Sequence, residues 1–208
     1  MTALNQLLIH ALQENKITLP EPAIKKLVHY LELMKIWNRV FNLTTITEPH
    51  RMVYLHIIDS LSVQNFLHGK HMLDVGSGAG LPGIPLAIAN PDQNWTLLDK
   101  NNKKTRFMTQ AIAELGLTNA TAIHSRCEDF HPSISFDSIL SRAFGSLRMF
   151  VESTQHLLSE DGRFIAMKGK YPQDEINDLP AHIVLQQDVQ LKVKGMDMER
   201  HVICFSKK

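Results

Sequence analysis

The chain has 208 residues, 44% of them hydrophobic and 21% charged, enough to bury one good core. A net charge of +1 is not the global footprint of a nucleic-acid binder, so any such contact has to come from a local basic patch. Two cysteines give no disulfide framework and point to free thiols in a reducing compartment, the 11 histidines show no paired metal-ligand spacing, and no apolar run approaches the roughly 18 residues of a membrane span.

The opening run MTALNQLLIHALQENK has neither the basic region nor the small-residue cleavage site of a secretion signal, and is expected to be an amphipathic helix. Leu4, Leu7, Leu8, Ala11 and Leu12 form one helical stripe, and Ile24, Leu27, Val28, Leu31 and Met34 form another. PEP at 20–22 separates them, with Pro22 suited to a first helical turn. A loop, FNLTTIT, follows Trp37, and PHRMVYLHIIDSLSVQNFL resumes the helical period.

Near residue 70 the pattern changes. HMLDVG reads as a buried strand and LPGIPLAIAN as a helix; NWTLLD follows as a strand, and NKKTRFMTQAIAELG as a helix ending at Gly116. ATAIHS and FDSILS are strands, LRMFVESTQHLL a helix and RFIAMKG a strand. IVLQQDVQLKV and HVICFSK close the chain as antiparallel strands around GMDMER. The expectation is a helical extension over 1–68 and an α/β domain over 69–208, with seven mostly parallel strands, an antiparallel last strand, and a ligand at the strands' C-terminal ends.

The glycine-rich stretch LDVGSGAGLPGIPLA follows the first strand and opens a helix. Gly78-x-Gly80-x-x-Gly83 fits a dinucleotide fingerprint, with Asp99 placed to meet a ribose. Gly76-x-Gly78-x-Gly80, with Asp74 two residues ahead, fits an S-adenosylmethionine loop. Asp74 favours the second register: at the mouth of the loop its carboxylate would repel a pyrophosphate but welcome a sulfonium and an ammonium. Asp99 serves either ligand through a ribose diol.

The stretch Asp74 to Pro85, with its Leu-Pro-Gly-Ile-Pro extension, resembles the loop of the RsmG (GidB) family of bacterial methyltransferases of small-subunit ribosomal RNA. Trp37-Asn38 with Asn42-Leu43-Thr44, His56-Ile57-Ile58-Asp59-Ser60, Leu97-Leu98-Asp99, Ser141-Arg142-Ala143-Phe144, Met167-Lys168-Gly169-Lys170 and Glu199-Arg200-His201 are similar to family blocks in the same order. The resemblance implies a Rossmann-like S-adenosylmethionine-dependent methyltransferase fold behind a helical N-terminal segment. It also implies methylation of a guanine N7 in a 16S rRNA loop near the decoding centre, and cofactor contacts at Gly76, Leu81, Cys127, Glu128 and Arg142. Two positions depart from the pattern: Ser77-Gly78-Ala79-Gly80 stands where the family often has Thr-Gly-Pro-Gly, and Leu55-His56 where it often has Arg-His.

Guanine N7 has a lone pair and no proton, so the reaction needs positioning more than a general base. No Asn-Pro-Pro-Tyr-like motif for amine methylation follows the fourth strand, and Cys127 lacks the preceding proline expected of a C5-directed thiol. Arg142 and Lys168, at adjacent strand ends, are the candidate catalytic residues. The candidate cofactor set is Asp74, Gly76, Gly78, Gly80, Leu81, Asp99, Cys127, Glu128 and Arg142. Lys100, Arg126, Phe144, Lys170, Arg200 and His201 are candidate RNA contacts, the aromatic ring by stacking on a base. His56 and Asp59, three apart on one helix face, either close over the cofactor or cap the loop after Asn42. The expected partner is 16S rRNA or the small ribosomal subunit, the expected compartment the cytoplasm and the expected state a monomer. A small-molecule methyltransferase and a non-catalytic S-adenosylmethionine-binding regulator are the alternative readings.

Overall fold

The computed structural model describes residues 2–208. Two long helices come first, α1 (Ala3–Glu14) and α2 (Glu21–Phe41). The Thr2 hydroxyl accepts from the Asn5 N–H to cap α1, and α2 stops where Asn42 turns left-handed. Leu8, Ala11 and Leu12 of α1 and Leu27, Leu31 and Met34 of α2 are buried as their stripes predict; Leu4, Leu7 and Ile24 are half-buried at the margin.

The run from Pro49 to Leu61 is not one regular helix. It is α3 (Pro49–Met52), a widened π-helical turn (Val53–Ile58) and α4 (Asp59–Leu61), and the Asp59 N–H reaches back five residues to the Tyr54 carbonyl. Periodicity cannot register one widened turn, because the apolar positions on either side still face the core.

Seven strands follow: β1 (His71–Val75), β2 (Asn94–Asp99), β3 (Ala120–His124), β4 (Phe136–Arg142), β5 (Leu158–Lys168), β6 (Ile183–Gln190) and β7 (His201–Lys207). Their order is β3-β2-β1-β4-β5-β7-β6. Neighbours from β3 to β5 are parallel, and β7 is antiparallel to both β5 and β6, as expected. The chain leaves β1 for β2 on one side and returns to β4 on the other, so the switch point lies between β1 and β4.

Helices α5 (Gly83–Ala89) and α6 (Asn102–Glu114) cover one face, together with α1 to α4. Leu8, Tyr30 and Ile57 belong to the same core as Ile84, Trp95 and Phe107, so residue 68 marks a change of element type and not of core. Helix α7 (Leu147–Thr154) covers the other face over Phe136, Phe164 and Phe205. A further helix, α8 (Gln173–Asn177), was not expected; five residues are too few to show a period.

Candidate functional site

The glycine loop is pinned from below. The N–H groups of Gly76 and Ser77 both donate to the Leu98 carbonyl, at 2.8 and 3.2 Å, and those of Gly80 and Leu81 donate to the Ser77 carbonyl, each at 2.8 Å. Gly76 has φ +68°, which lets the chain leave β1 with no side chain over the strand ends. Asp99, at the end of β2, holds the loop from the side, its Oδ2 accepting from the Gly78 N–H and its Oδ1 from the Asn101 N–H, both at 2.8 Å.

Above Gly76 lies a cleft of about 570 Å³, within the range of small-molecule sites. The β2 end supplies Asp99 and Lys100, the turn after β3 supplies Arg126, Cys127 and Glu128, and the β4 end supplies Ala143 and Phe144. Lys104 of α6 and Met149 of α7 complete the rim. Among the candidate cofactor residues, Gly76, Asp99, Cys127 and Glu128 line this cleft; so do Lys100, Arg126 and Phe144 of the RNA candidates. Cys127 is buried, and burial raises its thiol to about 12, so it is no nucleophile and offers backbone and packing instead. Each Asp99 oxygen keeps a lone pair for a ribose hydroxyl beyond its one backbone bond.

Several candidates sit elsewhere. Asp74 is not at the mouth of the loop. It is fully buried beneath it, with Oδ2 accepting from the Gly83 N–H at 2.9 Å and Oδ1 meeting no donor among the described residues. That bond removes the buried Gly83 N–H, at the start of α5, from the donors a pyrophosphate would use there, and so favours the second register. Gly78 and Gly80 shape the loop without lining the cleft, and Leu81 is packed in the core.

Lys168, expected as catalytic, is a clamp. Its Nζ donates to the Gly145 carbonyl and to Glu175 Oε2, both at 2.7 Å, and the same Glu175 oxygen accepts from the Leu147 N–H at 2.8 Å. Arg200 is turned inward to Asp59, and His201 is buried at the start of β7 against Tyr171, so neither presents its side chain to RNA. Lys170 is exposed but away from the cleft. His56 does not close over the cleft. It is buried, its Nε2 lies 3.3 Å from the Thr44 hydroxyl, and burial together with the Arg142 charge lowers its pKa to about 4. Arg142, a candidate for both catalysis and the cofactor, does not itself line the cleft, and it pairs with Asp59 instead of the nearer-in-sequence Glu128.

Among the residues not expected at the site, besides Ser125 and Ser153 in the cleft lining, are Met149 and Tyr30. Met149 stands off the apolar stripe of α7, and a large exposed apolar side chain there was the available signal. Tyr30 of α2 is fully buried and donates from its hydroxyl to the Ala79 carbonyl in the glycine loop at 2.6 Å, and nothing in its stripe distinguishes it from a core residue. Tyr30→Phe leaves that carbonyl buried and unpaired, and is expected to cost about 1–3 kcal/mol of stability. A urea titration reads the loss; an unchanged midpoint would show that the bond does not hold the loop.

The family model described as rRNA small subunit methyltransferase G matches residues 23–203. A protein named "Ribosomal RNA small subunit methyltransferase G" from Laribacter hongkongensis is 49% identical over 192 residues, 92% of this chain and 93% of that protein. One of the same name from Vibrio atlanticus is 43% identical over 208 residues, 100% of this chain and 99% of that protein. Among solved structures, the glycopeptide N-methyltransferase MtfA complexed with sinefungin has a TM-score of 0.62 at 10% identity, covering 73% of this chain and 85% of that one. TrmN from Thermus thermophilus has a TM-score of 0.57 at 18% identity, covering 82% of this chain and 53% of that one. At such identities these two show the fold.

Proposed function

The chain belongs to the rRNA small subunit methyltransferase G family, and on that premise we propose that it methylates N7 of a guanine in bacterial 16S rRNA, using S-adenosylmethionine. The observation that carries this reading is the cleft above Gly76, at the switch point of the sheet. Bound S-adenosylmethionine supplies an electrophilic methyl on a sulfonium.

The residues present fit that ligand. Asp99 is placed for the ribose diol, the Cys127–Glu128 backbone for an adenine edge, and the bare Gly76 backbone for close approach of the chain between them. Asp74 brings a carboxyl beneath the loop without blocking the cleft. At the β4 end Phe144, half-buried and 5.6 Å from the Phe150 ring, offers a fixed aromatic face to a base. Lys100, Lys104 and Arg126 make a local basic rim for phosphates, which answers the small net charge of the whole chain. No general base is needed for a nitrogen that carries no proton, and the β4 end (Arg142, Ala143, Phe144) offers none.

The substrate is 16S rRNA, free or within the small subunit, and the compartment is the cytoplasm where that RNA is assembled. No helix among the described residues is long and apolar enough to cross a membrane. Apart from Ile36 and Val40, one turn apart on α2, the large exposed apolar side chains, such as Ile134 and Leu185, are scattered, which supports a monomer.

The test is incubation with methyl-labelled S-adenosylmethionine and 30S subunits or 16S rRNA lacking N7-methylguanosine, followed by mapping through cleavage at that base. Label at a single guanine is the expected result. Protein that binds the cofactor in a calorimeter yet labels neither substrate would overturn the assignment.

A further inference from the structure

We propose that Asp59 is a positioning residue: held between Arg142 and Arg200, its carboxylate fixes which edge of the Arg142 guanidinium meets the methyl acceptor, and so ties methyl transfer to the helical N-terminal segment. The proposal rests on the methyltransferase reading above.

Asp59 is 2% exposed. A carboxylate so buried has to be paired, and a simple fork would spend both oxygens on one guanidinium. Here the two oxygens are divided. Arg200 Nε takes Oδ1 at 2.7 Å and Arg142 Nη1 takes Oδ2 at 3.3 Å. Arg142 is held by one nitrogen only, and that same Nη1 donates to the Leu55 carbonyl at 3.0 Å. Its Nε and Nη2 have no acceptor among the described residues, and the side chain is 27% exposed. The result is a fixed guanidinium with its remaining donors unspent.

Position makes those donors relevant. Arg142 is the last residue of β4, and Ala143 and Phe144 line the cleft directly after it. Ala143 sits at φ +66°, a left-handed conformation that a residue with a Cβ adopts at a cost, and the strain persists only where surroundings over-determine it. Two anchors flank it: Asp59 and Leu55 hold Arg142 on one side, and Lys168 holds the Gly145 carbonyl on the other. Both acceptors for Arg142 come from the widened turn and its exit, the Leu55 carbonyl inside it and the Asp59 carboxylate immediately after. A charged triad is a poor means of gaining stability alone, since packed apolar side chains serve as well. It is a good means of aiming a guanidinium.

The test is a double-mutant cycle on the full chain, with Asp59→Asn, Arg142→Ala and the pair together. Single-turnover methylation of 30S subunits and calorimetric binding of S-adenosylmethionine are the readouts. Asp59→Asn is expected to lower the methylation rate about 100-fold, as misaimed positioning does, while cofactor Kd moves less than about threefold. The double variant is expected to be no slower than Arg142→Ala alone, because Asp59 acts through that side chain. If Asp59→Asn does not fold, Arg200→Gln releases one oxygen and is expected to show the same rate loss at unchanged Kd. Additive losses, or a full methylation rate in the folded Asp59 or Arg200 variant, would overturn the proposal. Arg142→Ala at the wild-type rate would remove its premise, and wild-type protein that methylates no rRNA would instead overturn the functional reading.

Discussion

Gly83→Ala is expected to lose at least tenfold in affinity for S-adenosylmethionine and to unfold about 10 °C below the parent chain. Helix propensity argues the other way: Gly83 opens α5, and alanine there gains up to about 1 kcal/mol. Contacts decide the sign. A methyl on Gly83 would be driven into Leu97 Cδ2, and would stand 2.8 Å from Asp74 Oδ2 and 3.2 Å from its Cβ. Leu97 and Asp74 are both fully buried, so neither can swing aside. Relief has to come from moving α5 away from β1, which breaks the Gly83–Asp74 bond and drags the loop with it. Overpacking of this kind costs about 3 kcal/mol, and about 2–4 °C per kcal/mol applies at this chain length. Gly116→Ala is the control. Its methyl would meet nothing within 4 Å, so only its φ of +58° resists, and cofactor affinity should not change. Calorimetry of binding and unfolding on both variants checks this. A Gly83→Ala protein that binds the cofactor within twofold of the parent would show that the loop tolerates the shift.

Much of this architecture was legible because it is local. The seven strands and the helices between them announce themselves by short apolar runs and 3.6-residue stripes, and the strand–glycine–helix order locates the cleft. Asp99 was expected from its place at a strand end, and Cys127 and Glu128 from the family resemblance; all three line the cleft because the strand ends converge there. What failed was orientation. Asp74 reads as a carboxylate at the mouth of a loop, but alternation along β1 and the bond to Gly83 turn it beneath. Lys168, Arg200 and His201 carry the right chemistry at the right end of the sheet, yet Glu175, Asp59 and Tyr171 engage them. These pairings are decided in three dimensions: Asp59 meets Arg142 and Arg200 across 83 and 141 residues of chain. No period or spacing records such a convergence, and the widened turn that presents Leu55 and Asp59 leaves none either.

Affinity for S-adenosylmethionine is expected to rise between pH 6 and pH 8 and then level off, and Asp74→Asn is expected to remove that rise. Burial is the main reason the Asp74 carboxyl is pushed up to about 7; the Gly83 N–H, Ser77 and Arg142 oppose it, and Asp99 adds to it. Oδ1 meets no donor, so nothing holds the charge on that side. In the unfolded chain the same group titrates near 3.8. Between these values the folded protein keeps a proton that the unfolded chain has released. Stability therefore falls as pH rises from about 4 to about 7, by at most about 1.4 kcal/mol per unit, and is flat above. A sulfonium and an ammonium held above the loop favour the ionised carboxyl beneath it, so binding releases a proton while Asp74 is still protonated. Two buried neighbours do not share the transition: the Tyr30 hydroxyl is raised far above this range, and His56 titrates near 4. The difference between wild type and Asp74→Asn isolates what depends on the carboxyl. Calorimetry at pH 6, 7 and 8 in buffers of different ionisation enthalpy counts the protons released. The expected gain over that span is about three- to tenfold in wild type relative to Asp74→Asn. Equal proton release in the two proteins would mean that the buried carboxyl does not sense the ligand, and that its only role is to hold Gly83.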